Sequence, residues 1–212
     1  SWGLYISNMA FLVGVAAAAV ILVLPAYILH DVDFAKAVLI AEGVAVSALV
    51  MCLGFVMANS PGYPWKWWRL APVIGLLNWP DSMLAWDVIV LNGYLVLNLV
   101  IPFYILYSHY VGREPLKRKY LPFVYMSVFW AVSIHLVTAF LFAGLTARPF
   151  WNSALLGPRF LASAFTAGPA FMILMLWFVR SNTKYQIADG AFNKLALITT
   201  VAAQINLVML FS

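Results

Sequence analysis

The sequence predicts an all-α integral membrane protein, a polytopic bundle of about six transmembrane helices. Three observations lead there. Hydrophobic residues fill 65% of the 212 positions and charged residues only 9%, and the mean hydropathy is +0.96, a composition suited to lipid rather than water. Six apolar stretches reach the ~20 residues that span ~30 Å of hydrocarbon. Nearly every charge lies between these stretches rather than inside them.

The first span, 4–29, has no basic leader and so does not read as a signal peptide. Its Gly14 and Ala16 to Ala19 read as a close helix-packing surface. The second, 34–58, stops where Pro61, Gly62 and Pro64 interrupt it. The third, 82–107, carries Asp87, Tyr94 and Asn98 as a stripe, and the fourth, 121–144, presents His135 and Thr138 on one face. The fifth, 154–179, repeats the pattern with Arg159, Ser163 and Thr166, and its Gly168-Pro169 pair is the one clear candidate for a break. The sixth is 191–211. The alternation of a membrane β-strand is absent. The spans form a single membrane domain over 1–212. The connection 59–81 holds Trp65, Trp67, Trp68 and Trp79 among Lys66 and Arg69. Indoles beside cations suit the headgroup layer, so an interfacial segment is expected, with a lid over a cleft or a docking surface as the alternatives.

Short-loop cations set the expected topology. One side holds Lys36, Arg113, Lys117, Arg118, Lys119, Arg180, Lys184 and Lys194; the other holds Lys66, Arg69, Arg148 and Arg159. The richer side is assigned to the cytoplasm, which makes the chain a multi-pass protein of the cytoplasmic (inner) membrane. The net charge of +5 follows from this bias. With no basic stripe on a soluble face, nucleic acid is not an expected partner; the lipid bilayer is.

Cofactor ligands are scarce. A single Cys52 cannot supply an iron–sulfur cluster or a cysteine zinc site, and no metal site is expected. A b-type haem between helices needs two facing histidines. His30 and His109 keep that pair formally open, but histidines at helix ends are more often wetted groups favoured by the helix dipole. No haem is assigned.

Ionisable groups inside apolar helices ask for a reason. At 1.5 Å rise per residue, Asn8, Asp87 and Arg159 lie ~6–8 Å below one membrane face and His135 ~14 Å below it. Four helices thus present polar groups to the same outer half. Taken singly, Asn98, Ser163 and Thr166 read as interhelical hydrogen-bonding groups. Taken together, Asp87, His135 and Arg159 read as a ligand or proton site. Arg159 is a permanent cation, suited to anchoring an oxygen-rich ligand, while His135 exchanges protons near neutral pH. A quinone, with two carbonyls that gain protons on reduction and an apolar body, meets those groups. The candidate quinone site is His135, Arg159 and Asp87, helped by Asn8, Tyr5 and Trp151. Glu42, ~12 Å from the cytoplasmic end, has two readings: a solvated end group paired with Lys36, or a proton inlet continued by Ser47. Asp31 and Asp33 are expected to be solvated loop residues.

The run Ala147-Arg148-Pro149-Phe150-Trp151-Asn152, then Gly157-Pro158-Arg159-Phe160 and Ala167-Gly168-Pro169, resembles the polysulfide reductase/NrfD family of quinone-interacting membrane subunits. Trp2-Gly3-Leu4-Tyr5-Ile6, Trp86-Asp87 with Asn92-Gly93-Tyr94, and Ser133-Ile134-His135 resemble its DsrP branch, the membrane subunits of DsrMKJOP complexes linked to sulfur metabolism. The resemblance implies four-helix-bundle architecture and menaquinone bound as substrate, with no haem or iron–sulfur cluster in the chain. It also implies an iron–sulfur partner of ferredoxin type at the outer face, alongside other membrane and cytochrome subunits. Such a subunit takes part in a menaquinol/menaquinone oxidoreductase without catalysing alone, and proton translocation is a further expectation. Relatives have more spans, so helices before Ser1 and after Ser212 are expected. Where relatives carry an acidic residue after the second helix, this chain has Asn59, which receives no proton role. Two other classes stay open at this point, a secondary transporter or channel and a structural anchor.

Overall fold

The computed structural model describes residues 2–28, 31–59, 65, 68, 78–145 and 147–211. Six long helices follow one another: α1 (Trp2–Val23), α2 (Val38–Asn59), α3 (Met83–Tyr110), α4 (Lys117–Ala143), α5 (Leu156–Asn182) and α6 (Asp189–Phe211). Each is long and apolar enough to cross a membrane, and no strand occurs among the described residues. Of the Trp-rich connection, Pro61, Gly62, Pro64, Lys66, Trp67 and Arg69 fall outside the described residues, as does His30.

Helices α1 to α4 pack in sequence, and α1 closes on α4, giving a four-helix bundle. α5 lies against α1 and α4, and α6 packs on α5. The bundle centre is apolar, with Val13 and Ala16 of α1, Leu49 and Cys52 of α2, Leu91 and Tyr94 of α3 and Ile134 of α4. A second cluster joins Leu22, Ala41, Met172, Leu176 and Leu195 toward the other end. On α6 only Ala191, Leu195 and Ala202 are buried, so most of that helix faces outward.

Helix ends follow local chemistry. The Ser82 hydroxyl accepts the Ala85 amide at 3.4 Å and caps α3. At its other end Gly112 takes φ +71°, Arg113 N–H donates to Ser108 C=O at 2.9 Å and Gly112 N–H to His109 C=O at 3.0 Å. This Schellman closure satisfies two orphan carbonyls and requires a residue free of Cβ strain. α1 does not end cleanly: it relaxes into a π-helical turn, Leu24–Ile28, containing Pro25, which has no N–H for the α-helical ladder. α5 runs unbroken through Gly168-Pro169.

Most helical hydroxyls and amides bond within their own helix. Ser7, Ser47, Ser108, Ser133, Thr166, Thr199 and Thr200 each donate to the carbonyl four residues earlier. The amides of Asn8, Asn92 and Asn98 do the same.

Two expectations are corrected at the α1–α2 connection. Asp31 and Asp33 are not merely solvated: Lys194 of α6 pairs with Asp31 at 2.5 Å and Asp33 at 2.8 Å. That Lys194 hydrogen bond holds the Asp31 carboxyl below the usual carboxylate range. Phe34, clamped in the same turn, is buried, and α2 begins at Val38 rather than at 34. Nor is Glu42 a solvated end group paired with Lys36. It is 1% exposed, while Lys36 points outward and its carbonyl accepts the Tyr185 hydroxyl at 2.9 Å.

Candidate functional site

Asp87 sits little more than one turn into α3, yet it is fully buried because α4 crosses it. The Thr138 hydroxyl lies 2.6 Å from Asp87 Oδ1 and 2.7 Å from the Ile134 carbonyl. A hydroxyl has one hydrogen, so both contacts are filled together only when the carboxyl itself brings a proton. Asp87 Oδ2 has no hydrogen-bond partner and is buried.

One turn from Thr138 on the same helix stands His135, 1% exposed. Its Nδ1 is 2.7 Å from the Ala131 carbonyl. A carbonyl only accepts, so Nδ1 carries the hydrogen and Nε2 of the neutral ring is the free acceptor. Nε2 is buried with no partner. His135 lines two cavities. One of about 310 Å³ lies between Ala10, Gly14, Phe160 and Ser163. The other, of about 320 Å³, runs toward the π turn past Val128, Leu161 and Phe165 to Leu24 and Pro25. Apart from Ser163, their other linings are apolar. A buried acceptor with a fixed tautomer, set between apolar spaces, can hold a hydroxyl or take up a proton there.

The remaining candidates divide between two other places. Arg159, in the first turn of α5, has its guanidinium 5.9 Å from the Phe150 ring centre, and its Nε is buried without a partner. Trp151 packs edge-on against Phe142 at 5.3 Å and lies 5.8 Å from the Arg148 guanidinium. Asn8 and Ser47 face a third cavity, about 640 Å³, between α1, α2 and α5. The Tyr5 ring packs on Phe55 of that lining at 5.9 Å. Phe11 borders both this cavity and the first His135 cavity, and packs edge-on against Phe171 at 6.4 Å. The structure therefore joins His135 and Asp87 through Thr138 and one turn of α4. Arg159 and Trp151 lie apart from these, at the end of the bundle that carries the α4–α5 connection, and Asn8 and Ser47 share the lining of the third cavity. Glu42 does not line that cavity. Both its carboxylate oxygens are buried without partners, and Tyr27 of the π turn faces it. Sequence reading gave no site role to Phe11, Phe160 or Tyr27. Aromatic residues are too common in these helices to stand out, and only Pro25 hinted at the irregular turn.

Comparison with known proteins identifies the family. Residues 1–212 match the family described as Polysulphide reductase, NrfD. The chain is 27% identical over 119 residues to the Hdr-like menaquinol oxidoreductase integral membrane subunit of Archaeoglobus fulgidus, covering 56% of this chain and 28% of that protein. It is 22% identical over 244 residues to a selenate reductase subunit of Mesobacillus selenatarsenatis, covering 100% of this chain and 56% of that protein. The chain thus spans little more than half of one of these relatives and less than a third of the other. With the family matched from end to end on a six-helix membrane fold, the chain belongs to the polysulphide reductase/NrfD family.

Proposed function

We propose that the chain is the quinone-interacting part of a membrane subunit in a multi-subunit redox complex. It would pass electrons between menaquinone and an iron–sulfur partner of ferredoxin type at the outer face. The observation that carries this reading is His135: a buried ring with Nδ1 fixed on Ala131 and Nε2 free, between two apolar cavities. Oxidising a quinol releases two electrons and two protons, one from each hydroxyl; reducing a quinone takes up the same. His135 Nε2 accepts such a proton, or returns it when charged, while Asp87 and Thr138 hold the helix face behind it. Arg159, with a free Nε, fixes a carbonyl or carboxylate at the outer end, near Trp151; Asn8 borders the neighbouring cavity, and Tyr5 packs on its Phe55.

Menaquinone is supported by the name of the Archaeoglobus relative, a menaquinol oxidoreductase subunit. The DsrP branch, a link to sulfur metabolism, cytochrome partners and residence in the cytoplasmic membrane rest on the motif resemblance and the loop charges. Proton uptake through Glu42, with Ser47 further along α2, completes the proposal. A transporter would favour helices broken at mid-membrane, whereas α5 continues through its Pro169.

The test uses the intact complex. His135→Ala and Arg159→Ala should each lower menaquinol turnover by on the order of a hundredfold and weaken binding of a quinone analogue, with assembly unchanged. Full turnover in both variants of an assembled complex would refute the assignment.

A further inference from the structure

The geometry points to a hydroxyl-lined proton inlet to Glu42, formed by Tyr27, Tyr120 and Tyr104 and opening at the end of the bundle that carries the α3–α4 loop. It rests on the proton uptake proposed above and names the residues that would deliver it.

Glu42 is the starting point. Among the described residues neither of its oxygens has a hydrogen-bond partner, although the side chain is 1% exposed. A carboxyl in such a place can exchange its proton only with a neighbouring group able to take it and return it. The groups facing it are few. Tyr27 comes from the π turn of α1. Tyr94 stands on the α3 side, but its hydroxyl already donates to the Ala16 carbonyl, at 3.4 Å. No cation among the described residues pairs with Glu42. Lys36 is turned away, and Lys194 is engaged with Asp31 and Asp33.

From Tyr27 the phenols continue outward. The Tyr27 and Tyr120 ring centres are 5.6 Å apart, and those of Tyr120 and Tyr104 are 6.4 Å apart. Tyr120 is in the first turn of α4, and Tyr104 is near the end of α3. The Tyr104 hydroxyl accepts the Leu116 amide at 3.3 Å, in the loop bearing Arg113 and just before Lys117, Arg118 and Lys119 at the start of α4. The rings pack among Val23, Val38, Ile101 and Val124, so the three hydroxyls are the polar groups of an otherwise apolar seam. The π turn matters here. Its wider coil sets Tyr27 off the α-helical register of α1, and such turns recur at functional sites. Each phenol can receive a proton on oxygen while releasing its own, so one proton enters at Tyr104 and one reaches Glu42, with no net change in the tyrosines. Leu24 and Pro25 of the same π turn border the second cavity of His135.

The seam could instead be aromatic packing, and tyrosine-to-phenylalanine changes separate the two because they keep the rings. In the intact complex, the infrared carbonyl band of Glu42 is identified by its loss in Glu42→Gln, or by its shift in Glu42→Asp where the glutamine variant does not assemble. Hydrogen–deuterium exchange of that band is then followed without quinone present. Tyr27→Phe and Tyr120→Phe should each slow it by on the order of tenfold. In liposomes they should slow proton uptake from the α3–α4 side by a similar factor. Exchange as fast in both variants as in the parent overturns the inlet. Because the exchange needs no quinone, loss of menaquinol turnover in the parent complex would count against the proposed function alone.

Discussion

Thr138→Val tests whether the Asp87–Thr138 contact is a working part of the α3–α4 interface. Valine keeps the branched shape and removes the one hydroxyl within 2.6 Å of Asp87. Asp87 Oδ2 already lacks a partner, so the variant leaves the whole buried carboxyl unbonded. Stranding a buried polar group costs about 1–3 kcal/mol, and interhelical hydrogen bonds in membranes average about 0.6 kcal/mol and reach about 1.7 kcal/mol. A loss of about 1–2 kcal/mol is therefore expected, a factor of roughly 5–30 in the folding equilibrium. Asp87→Leu removes the stranded group itself, and Thr138 keeps its bond to Ile134. Adding Thr138→Val to Asp87→Leu should then cost under about 0.5 kcal/mol, so the cycle shows coupling of about 1–2 kcal/mol. Unfolding by increasing SDS fraction in mixed micelles reads all four proteins. If Thr138→Val costs the same with and without Asp87, the contact carries no energy and the reasoning fails.

Two further outcomes follow from packing and charge. A Cβ at Gly93 would stand 2.6 Å from the Trp130 indole, whose Nε1 donates to Val90 C=O at 2.8 Å. Gly93→Ala should thus destabilise by about 1–3 kcal/mol, and Gly54→Ala, where a Cβ meets nothing within 4 Å, should stabilise by about 0.5–1 kcal/mol; micelle unfolding separates the two. The Asp31 carboxyl is held low by Lys194, so its contribution is present above the ordinary carboxylate pKa of ~4 and is lost as pH falls through the lower folded value. Acid unfolding of the α1–α2 turn, followed by hydrogen exchange at Asp33, should lose this step in Lys194→Met; an unchanged acid limb would refute the clamp.

The helical bundle was legible because hydropathy over ~20 residues reports a lipid-facing span directly. The stripe of Asp87, Tyr94 and Asn98 was legible for the same reason: helical spacing fixes a shared face, and all three are buried. What escaped reading depends on partners distant in sequence. Asp31 and Asp33 look like loop residues until Lys194 of α6 reaches them. Glu42 lies one turn into α2, a position that counts as wet only if its neighbours end there. Instead Phe34 and the tyrosines of α3 and α4 extend past it. The grouping of Asn8 with Ser47 rather than with His135 turns on which side of Phe11 each falls, and spacing along one helix does not decide that.

The carbonyl-directed hydroxyls and amides of the helices bear on how the chain reaches the bilayer. A serine or threonine that already donates to its own backbone brings no unmet demand into lipid. As far as these groups go, a helix can leave the insertion machinery before its neighbours exist. Asp87 is different: an aspartate in a helix raises the insertion cost by up to about 3 kcal/mol, which the other residues of α3, at mean hydropathy 2.0, can offset. α3 would then wait in the bilayer with its carboxyl unbonded until α4 is made and Thr138 arrives. Docking of α4 is thus the step at which a misfolded chain could be told from a correct one, and a quality-control protease would find α3 most vulnerable in that interval.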